Sequence, residues 1–315
     1  MKRKNKKGGK LILFAGALSI IILTVCAFGK NTIVYEYYKY NIEKKYNKKG
    51  DNENEYFLED NFNYVDNYTE NGIKKESDLI NYIYYALNAG IKESERYIDK
   101  SYINYLNDMD NLTKKDGKIF KAKASILNNF VHPYNSSDNI KLNYGGKYTI
   151  GIDIKKVYSD KEIKEINKVV DKVISEKISN DMPIKEKIKV IHDYIIDNTE
   201  YDKLKNANIN DETYKSQTAY GALIQGYATC NGYSDAMAIF LNKINVINYK
   251  ISNSEHVWNL VYLDGKWYHL DLTWDDPISE KNVNRDLYFL ITTEELSKLN
   301  DGTHEFDKNI YSEAK

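Results

Sequence analysis

The sequence has 315 residues and carries 45 Lys and Arg against 46 Asp and Glu, a formal net charge of −1. This balance argues against a nucleic-acid partner, because phosphate binding favours a strong excess of basic side chains. Only two cysteines occur, Cys26 and Cys230.

The N-terminal segment has the pattern of a membrane anchor. Residues 1–10 are basic and contain no acid, and residues 11–29 form an apolar run of 19 residues without a charge. A run of this length is close to the roughly 20 residues that cross a bilayer and exceeds the roughly 7–15 of a cleavable signal core. Positive charge before the span predicts that residues 1–10 are cytoplasmic and that the chain after residue 30 is extracytoplasmic. The small residues at 27–29 leave a cleaved, secreted form as an alternative.

The next segments have different patterns. Residues 31–76 are polar and weakly periodic and are interpreted as a linker or stalk. Residues 77–145 are interpreted as a small helical region, because Ser77 can cap a helix whose apolar residues follow on one stripe. Residues 148–154 (YTIGIDI) alternate between apolar and other residues, which predicts a half-buried strand.

Two helices are predicted before the segment that carries the chemistry. Ser159 and Glu162 form a capping-box pattern at the start of the first. Pro183 suits the first turn of the second, which we expect to end near Asn198.

Cys230 is the one cysteine outside the apolar N-terminal run, so no intrachain disulfide is available to it there. A lone exported cysteine is a free reactive thiol, an intermolecular partner or an inert buried residue. The residues after it have helical spacing, which places it at or near the first turn of a buried helix. The free N–H groups of a helix start stabilise a thiolate, the nucleophilic form of cysteine.

A β-hairpin is predicted further along, with strands 256–263 and 266–273 joined by Asp264-Gly265. A two-residue turn makes His256 and Asp271 diagonal neighbours on one face, roughly 7 Å apart at the backbone. The carboxylate can then hold one imidazole nitrogen while the other faces the thiol, as in enzymes with a catalytic triad. A bulge or a three-residue loop would instead place the two side chains on opposite faces.

Three motifs together resemble the transglutaminase-like superfamily, which has a papain-like Cys-His-Asp arrangement. They are IHDYIIDNTEYD, YGALIQGYATCNGYSDAMAIFL and HVWNLVYLDGKWYHLDLTWDD, and the resemblance covers roughly residues 180–290. It implies Cys230 as nucleophile, His256 as base and Asp271 as the orienting carboxylate. It also implies an α+β fold in which the cysteine-bearing helix packs on an antiparallel sheet. The expected domain spans residues 146–300, followed by a C-terminal tail at 301–315.

Further side chains are assigned secondary roles. Gln225 and Tyr227 precede the nucleophile and are candidates for stabilising an oxyanion. His269 shares the face of Asp271 and is expected to support the site, with the role of base as an alternative. Trp258 and Trp274 are candidates for an apolar substrate-binding wall, with core packing equally open.

No metal or other cofactor is predicted. The acids at 271, 275 and 276 match no calcium or zinc spacing. The other histidines are interpreted as structural or carry no motif: His132, His192 and His304.

The predicted chemistry is acyl transfer from an amide through a thioester. Water as acceptor would give a peptidase or amidase, and a lysine amine would give a transglutaminase. The expected partners are peptide or protein substrates, including cell-wall peptides, with the membrane contacted through the N-terminal helix. The alternative is a non-enzymatic surface scaffold that retains this fold.

Overall fold

The structure, a computed structural model, describes residues 53–60, 62–66, 72–114, 116–144, 148–276 and 285–314, together with 32, 35–37 and 39–41. No helix among these residues is long and apolar enough to cross a membrane. The predicted anchor at residues 11–29 lies outside the described residues.

The described chain contains both helices and strands. The helices are α1 (Glu76–Asn88), α2 (Tyr105–Leu112), α3 (Lys121–Asn129), α4 (Asp160–Lys177), α5 (Ile184–Asn198), α6 (Lys203–Ala207), α7 (Cys230–Lys243), α8 (Leu272–Asp275) and α9 (Thr293–Leu299). The strands are β1 (Glu93–Tyr97), β2 (Ser137–Tyr144), β3 (Thr149–Lys156), β4 (Glu200–Tyr201), β5 (Tyr227–Ala228), β6 (Asn248–Ser252), β7 (Val257–Leu263) and β8 (Lys266–Leu270).

The predicted starts of the two long helices are confirmed. Ser159 accepts a hydrogen bond from the Glu162 amide, and the Glu162 carboxylate accepts one from the Ser159 amide at 2.8 Å, which completes a capping box for α4. Pro183 stands directly before α5, which ends at Asn198 as expected.

The region before the motifs contains a sheet, so its interpretation as a purely helical region was wrong. Strands β1, β3 and β2 form an antiparallel sheet in that order. Because β3 is the central strand, the predicted domain boundary at residue 146 would cut this sheet in two. The chain from α1 to β3 therefore forms one structural unit of helices and strands, which continues across the predicted boundary.

A second antiparallel sheet, β6-β7-β8, carries the predicted hairpin. Asp264 (φ 48°) and Gly265 (φ 80°) adopt the left-handed conformation that a two-residue turn needs. The predicted register is confirmed, since Tyr262 pairs with Trp267. However, β8 ends at Leu270 instead of continuing to residue 273, because Asp271 is the N-cap residue of α8.

The central strand β7 is buried on both faces. Val261 and Leu263 pack in the core shared with helices α4, α5 and α7, whereas Trp258 and Leu260 pack in the core shared with the N-terminal sheet. The cysteine-bearing helix therefore lies on an antiparallel sheet, as expected, and the N-terminal region covers the opposite face.

The described parts of the segments assigned as linker and tail include residues of the folded core. Phe62 and Val65, in the predicted linker at 31–76, are buried in the core beside β6. Tyr311 and Ala314, in the predicted tail at 301–315, are buried in the same core. Their apolar side chains explain why neither segment stays in solvent.

Candidate active site

Cys230 is the first residue of α7, and its thiol is free and partly exposed. Thr229 precedes the helix but gives it no side-chain cap; its hydroxyl and amide both donate to the Ser216 carbonyl. The first N–H groups of a helix have no intrahelical partner. The start of α7 therefore presents open N–H groups beside a nucleophile.

The segment before Thr218 lies directly against this helix start. A Cβ added at Gly232 would be 2.3 Å from the Ser216 carbonyl oxygen, so only glycine permits the approach. The same segment carries Gln217, which lines a cavity of about 290 Å³ together with Cys230 and His256. Gln217 is thus a polar side chain next to the nucleophile that was not identified from the sequence.

His256 and Asp271 are joined by a hydrogen bond of 2.5 Å between Nε2 and Oδ2. Asn253 accepts the His256 amide at 2.8 Å and fixes the turn before β7. The other oxygen of Asp271 accepts the backbone amides of Thr273 and Trp274 at 2.8 and 3.3 Å. Because Nε2 is occupied, Nδ1 of His256 remains for the thiol.

The charges of these groups stabilise one another. Burial of the His256 ring opposes its charge, but the Asp271 carboxylate and the Cys230 side chain outweigh this effect and raise the pKa of His256 from 6.5 to about 10. Burial likewise opposes the charge of Asp271, yet His256 and His304 hold the pKa of this carboxyl well below its usual range. Both groups are charged near neutral pH.

His304 is a second histidine on Asp271, and it carried no signal in the sequence. Its Nε2 lies 2.8 Å from Asp271 Oδ2, and its Nδ1 lies 2.8 Å from Asp301 Oδ2. The ring stands edge-on to His256, with 5.2 Å between the ring centres. The segment predicted to be a tail therefore contributes directly to the site.

His269 is a supporting residue, and its alternative role as base is wrong. Trp258 donates its indole N–H to His269 Nδ1 at 2.9 Å, and His269 Nε2 lies 3.0 Å from the Thr293 hydroxyl. Burial and the neighbouring charge of His304 lower the pKa of His269 to about 3. Its two nitrogens are occupied and its ring is neutral.

The two tryptophans have different positions. Trp258 is fully buried and stacks on the His256 ring, so its assignment to a substrate-binding wall was wrong. Trp274 is 40% exposed and lines a cavity of about 1090 Å³ beside His256, together with Phe306 and Tyr311. Trp274 therefore remains available to a substrate.

Gln225 and Tyr227 lie away from the cavity of Cys230 and His256, which contradicts their assignment to an oxyanion site. They line a separate cavity of about 700 Å³ that lacks Cys230. Gln225 accepts the Lys215 amide at 2.7 Å, and the Tyr227 ring stacks on Tyr214 at 4.0 Å. Each side chain has a structural partner.

The wall of the catalytic cavity includes helix α3, through Ser125, Asn128 and Asn129. Its inner end includes an ion pair between Lys250 and Asp235, with 2.5 Å between Nζ and Oδ1 and both side chains only 6% exposed. The N-terminal region therefore completes the cleft, and the buried cation there is already paired.

Two groups of described residues bring three potential metal ligands together. In the first, His256, Asp271 and His304, the contacts of 2.5 and 2.8 Å fit hydrogen bonds. The ligand atoms of a tetrahedral zinc ion, each ~2.0–2.1 Å from the metal, stand about 3.3 Å apart from one another. The contacts of Asp271 with His256 and His304 are shorter than this, as hydrogen bonds are.

The second group consists of His192, Asp193 and Asp286, and the cation that neutralises its carboxylates is the ammonium of Lys189. This ammonium lies 2.5 Å from Asp193 and 3.0 Å from Asp286, which leaves His192 as a packed histidine 3.2 Å from Asp275.

Comparison with known proteins identifies the domain. Residues 172–272 match the sequence model of the transglutaminase-like superfamily, and this stretch contains Cys230, His256 and Asp271. The chain therefore carries a transglutaminase-like domain. A comparison with curated protein sequences gives no significant match.

Two solved structures are similar over part of their length. One is the crystal structure of a TGase, 18% identical, with a TM-score of 0.32 over 55% of this chain and 52% of the other. The second, a protein from Cytophaga hutchinsonii described as a candidate cysteine protease, is 13% identical, with a TM-score of 0.26 over 42% of this chain and 61% of the other. The similarity thus spans less than two thirds of either structure.

The raised pKa of His256 predicts a loss of stability with rising pH. A folded state that binds a proton more tightly than the unfolded state is favoured below pH 6.5 and loses this advantage as the pH approaches 10. Urea unfolding from pH 6.5 to 9 should show the free energy of unfolding falling more steeply in the wild type than in His256→Gln, by at most about 1.4 kcal/mol per pH unit. Parallel curves for the two proteins would contradict the prediction.

Proposed function

We propose that the chain is a cysteine-dependent enzyme that transfers acyl groups from amide bonds of peptides or proteins through a thioester at Cys230. The observation that carries this proposal is the shared cavity of Cys230 and His256, with His256 held by Asp271 at 2.5 Å. Members of the transglutaminase-like superfamily are often cysteine peptidases or acyltransferases, which supports the same chemistry.

In the first half-reaction, the Cys230 thiolate attacks the amide carbonyl carbon and forms a C–S bond. His256 gives a proton to the amide nitrogen, the C–N bond breaks, and the amine leaves. Asp271 holds the ring in orientation during the transfer, as the carboxylate does in triad enzymes.

The oxyanion of the tetrahedral intermediate needs donors that are already in place. The open N–H groups at the start of α7 and the amide of Gln217 are the candidates, because both are next to the Cys230 side chain. No hydrogen bond involving the Gln217 side chain occurs among the described residues, so its N–H₂ group remains available to a ligand.

In the second half-reaction, water or an amine attacks the thioester carbonyl. His256 takes the proton of this nucleophile, the C–S bond breaks, and the thiolate is restored. Water yields a carboxylate and makes the enzyme a peptidase or amidase. A lysine amine yields a new amide and makes it a transglutaminase.

The proposed place of action is outside the cytoplasmic membrane, with the chain tethered by its N-terminal segment. The support for this is the basic segment at 1–10 followed by 19 uncharged residues. Cell-wall peptides and surface proteins are the amide substrates that such a location would offer.

The enzyme proposal predicts a reactive thiol. Cys230 should be alkylated by iodoacetamide at pH 7 faster than in the urea-denatured chain, because a thiolate paired with an imidazolium reacts and a thiol does not. His256→Ala should slow the reaction, and mass spectrometry of the Cys230 peptide measures it. Labelling as slow as in the denatured control would favour the non-enzymatic scaffold.

The acceptor is tested with a glutamine-containing protein and a fluorescent primary amine. Covalent incorporation of the amine that is lost in Cys230→Ser identifies a transglutaminase. Release of a shortened peptide or of ammonia without incorporation identifies a hydrolase. Neither product in a chain whose Cys230 alkylates rapidly would exclude this substrate class.

The oxyanion assignment predicts different effects for two glutamines. Gln217→Ala should lower the rate of thioester formation by about 10²–10³-fold, the usual effect of removing one oxyanion donor. Gln225→Ala is the matched control, because Gln225 lies in a different cavity. The rate is measured as acyl-enzyme formation with an activated ester, and equal effects in both variants would contradict the assignment.

A further inference from the structure

Each ring nitrogen of His304 lies against a carboxylate. Its Nε2 and Nδ1 are each 2.8 Å from a carboxylate oxygen, of Asp271 and Asp301 respectively. The Thr303 hydroxyl also lies 3.2 Å from Nδ1. An ionised carboxylate can only accept hydrogen bonds, so a ring nitrogen that bonds to one has to donate. The two contacts to carboxylates fit a ring with a proton on each nitrogen.

Both carboxylates are ionised in this arrangement. The pKa of Asp271 is held low by its two histidines, as described above. Burial opposes the charge of Asp301, but the amide of Thr303 and the cation of His304 lower the pKa of Asp301 to about 2. Tyr288 also donates its hydroxyl to Asp301 at 3.0 Å.

Aromatic rings enclose the His304 side chain, which is only 3% exposed. Tyr288 stacks on it at 4.8 Å, and Trp258 and Trp274 present their rings at 4.9 and 5.6 Å. Aromatic faces attract cations, so this enclosure suits an imidazolium. Among the described residues, the ring of His256 stands edge-on to that of His304, and the charge of His304 also acts on His269.

We propose that His304 is a positioning residue of the active site: held between Asp271 and Asp301 with a proton on each ring nitrogen, it is a second cation on Asp271 that fixes this carboxylate and limits how strongly it holds the proton on His256. This inference rests on the proposed function and adds to it a residue outside the matched domain. Without His304, the whole negative charge of Asp271 would act on His256, and the imidazolium would give up its proton less readily to the leaving amine.

The test compares two substitutions that separate the two ring nitrogens. The amide nitrogen of His304→Gln can take the place of Nε2 and keep the hydrogen bond to Asp271 without the charge. The amide nitrogen of the shorter side chain in His304→Asn can reach only Asp301. Asp301→Asn keeps the whole aromatic enclosure and removes the charge that holds the second proton, so it serves if the histidine variants do not fold.

The measurement is the titration midpoint of the His256 ring by NMR in the full-length folded protein. A neighbouring cation about 5 Å away is worth on the order of one pH unit or more. All three variants should therefore raise the midpoint by about one pH unit, and His304→Asn should in addition slow alkylation of Cys230 more than His304→Gln does. His132→Gln, a buried histidine that does not contact Asp271, should leave both unchanged.

The outcomes separate this inference from the proposed function. A His256 midpoint that stays the same or falls in folded variants would overturn the role of His304. The loss of a merely structural residue would change the stability of the protein without raising this midpoint. A wild-type Cys230 that is unreactive would overturn the proposed function instead, whatever the midpoint does.

Discussion

The carboxylate of Asp271 accepts four hydrogen bonds inside the protein, and the rest of the site is arranged around it. Two backbone amides of α8 reach one oxygen, and the imidazoles of His256 and His304 reach the other. A buried charge is costly unless it is paired and fully hydrogen-bonded. The end of β8, the start of β7 and the C-terminal segment are therefore held in fixed positions by one side chain. The short helix α8 is part of this constraint, because only a turn after Asp271 brings two amides to its oxygen.

The cleft combines three parts of the chain that are far apart in sequence. Helix α7 brings the thiol, the hairpin brings the imidazole, and α3 from the N-terminal region closes one side. This explains why both faces of β7 are buried: one packs on the cysteine-bearing helix, and the other on the region that supplies the wall of the cleft. The N-terminal region is thus a structural part of the site, since the cavity would be an open surface without it.

The sequence predicts the features that depend on short-range rules. Asp264-Gly265 fixes the hairpin register, Ser159 and Glu162 begin α4, and the spacing after Cys230 places it at a helix start. Of the N-terminal sheet, the alternation at residues 148–154 predicts the central strand β3, and the structure confirms it. Strand β1 (ESERY) escaped prediction because it is short and polar, so its pattern resembles a loop. His304 escaped because its role depends on contacts across 33 residues with Asp271, and no local period records such a contact. The strand that was predicted to pass through Asp271 stops there because its carboxylate caps a helix.

The proposed mechanism places two conflicting requirements on His256, and the second cation that we propose at His304 addresses both. The thiolate–imidazolium pair is stabilised at rest by a strongly held proton on His256, and the pKa of about 10 reflects this. In the proposed first half-reaction the same proton has to leave His256 when the amine departs, and an imidazolium that is too weak an acid slows this step. A second cation on the same oxygen of Asp271 divides the charge of the carboxylate between two rings. The orientation of the His256 ring is retained because its hydrogen bond to Asp271 stays short, while the proton on His256 becomes easier to transfer. His304 is buried among aromatic rings and lies outside the matched domain. This position is consistent with a residue that changes how readily His256 releases its proton by acting through Asp271.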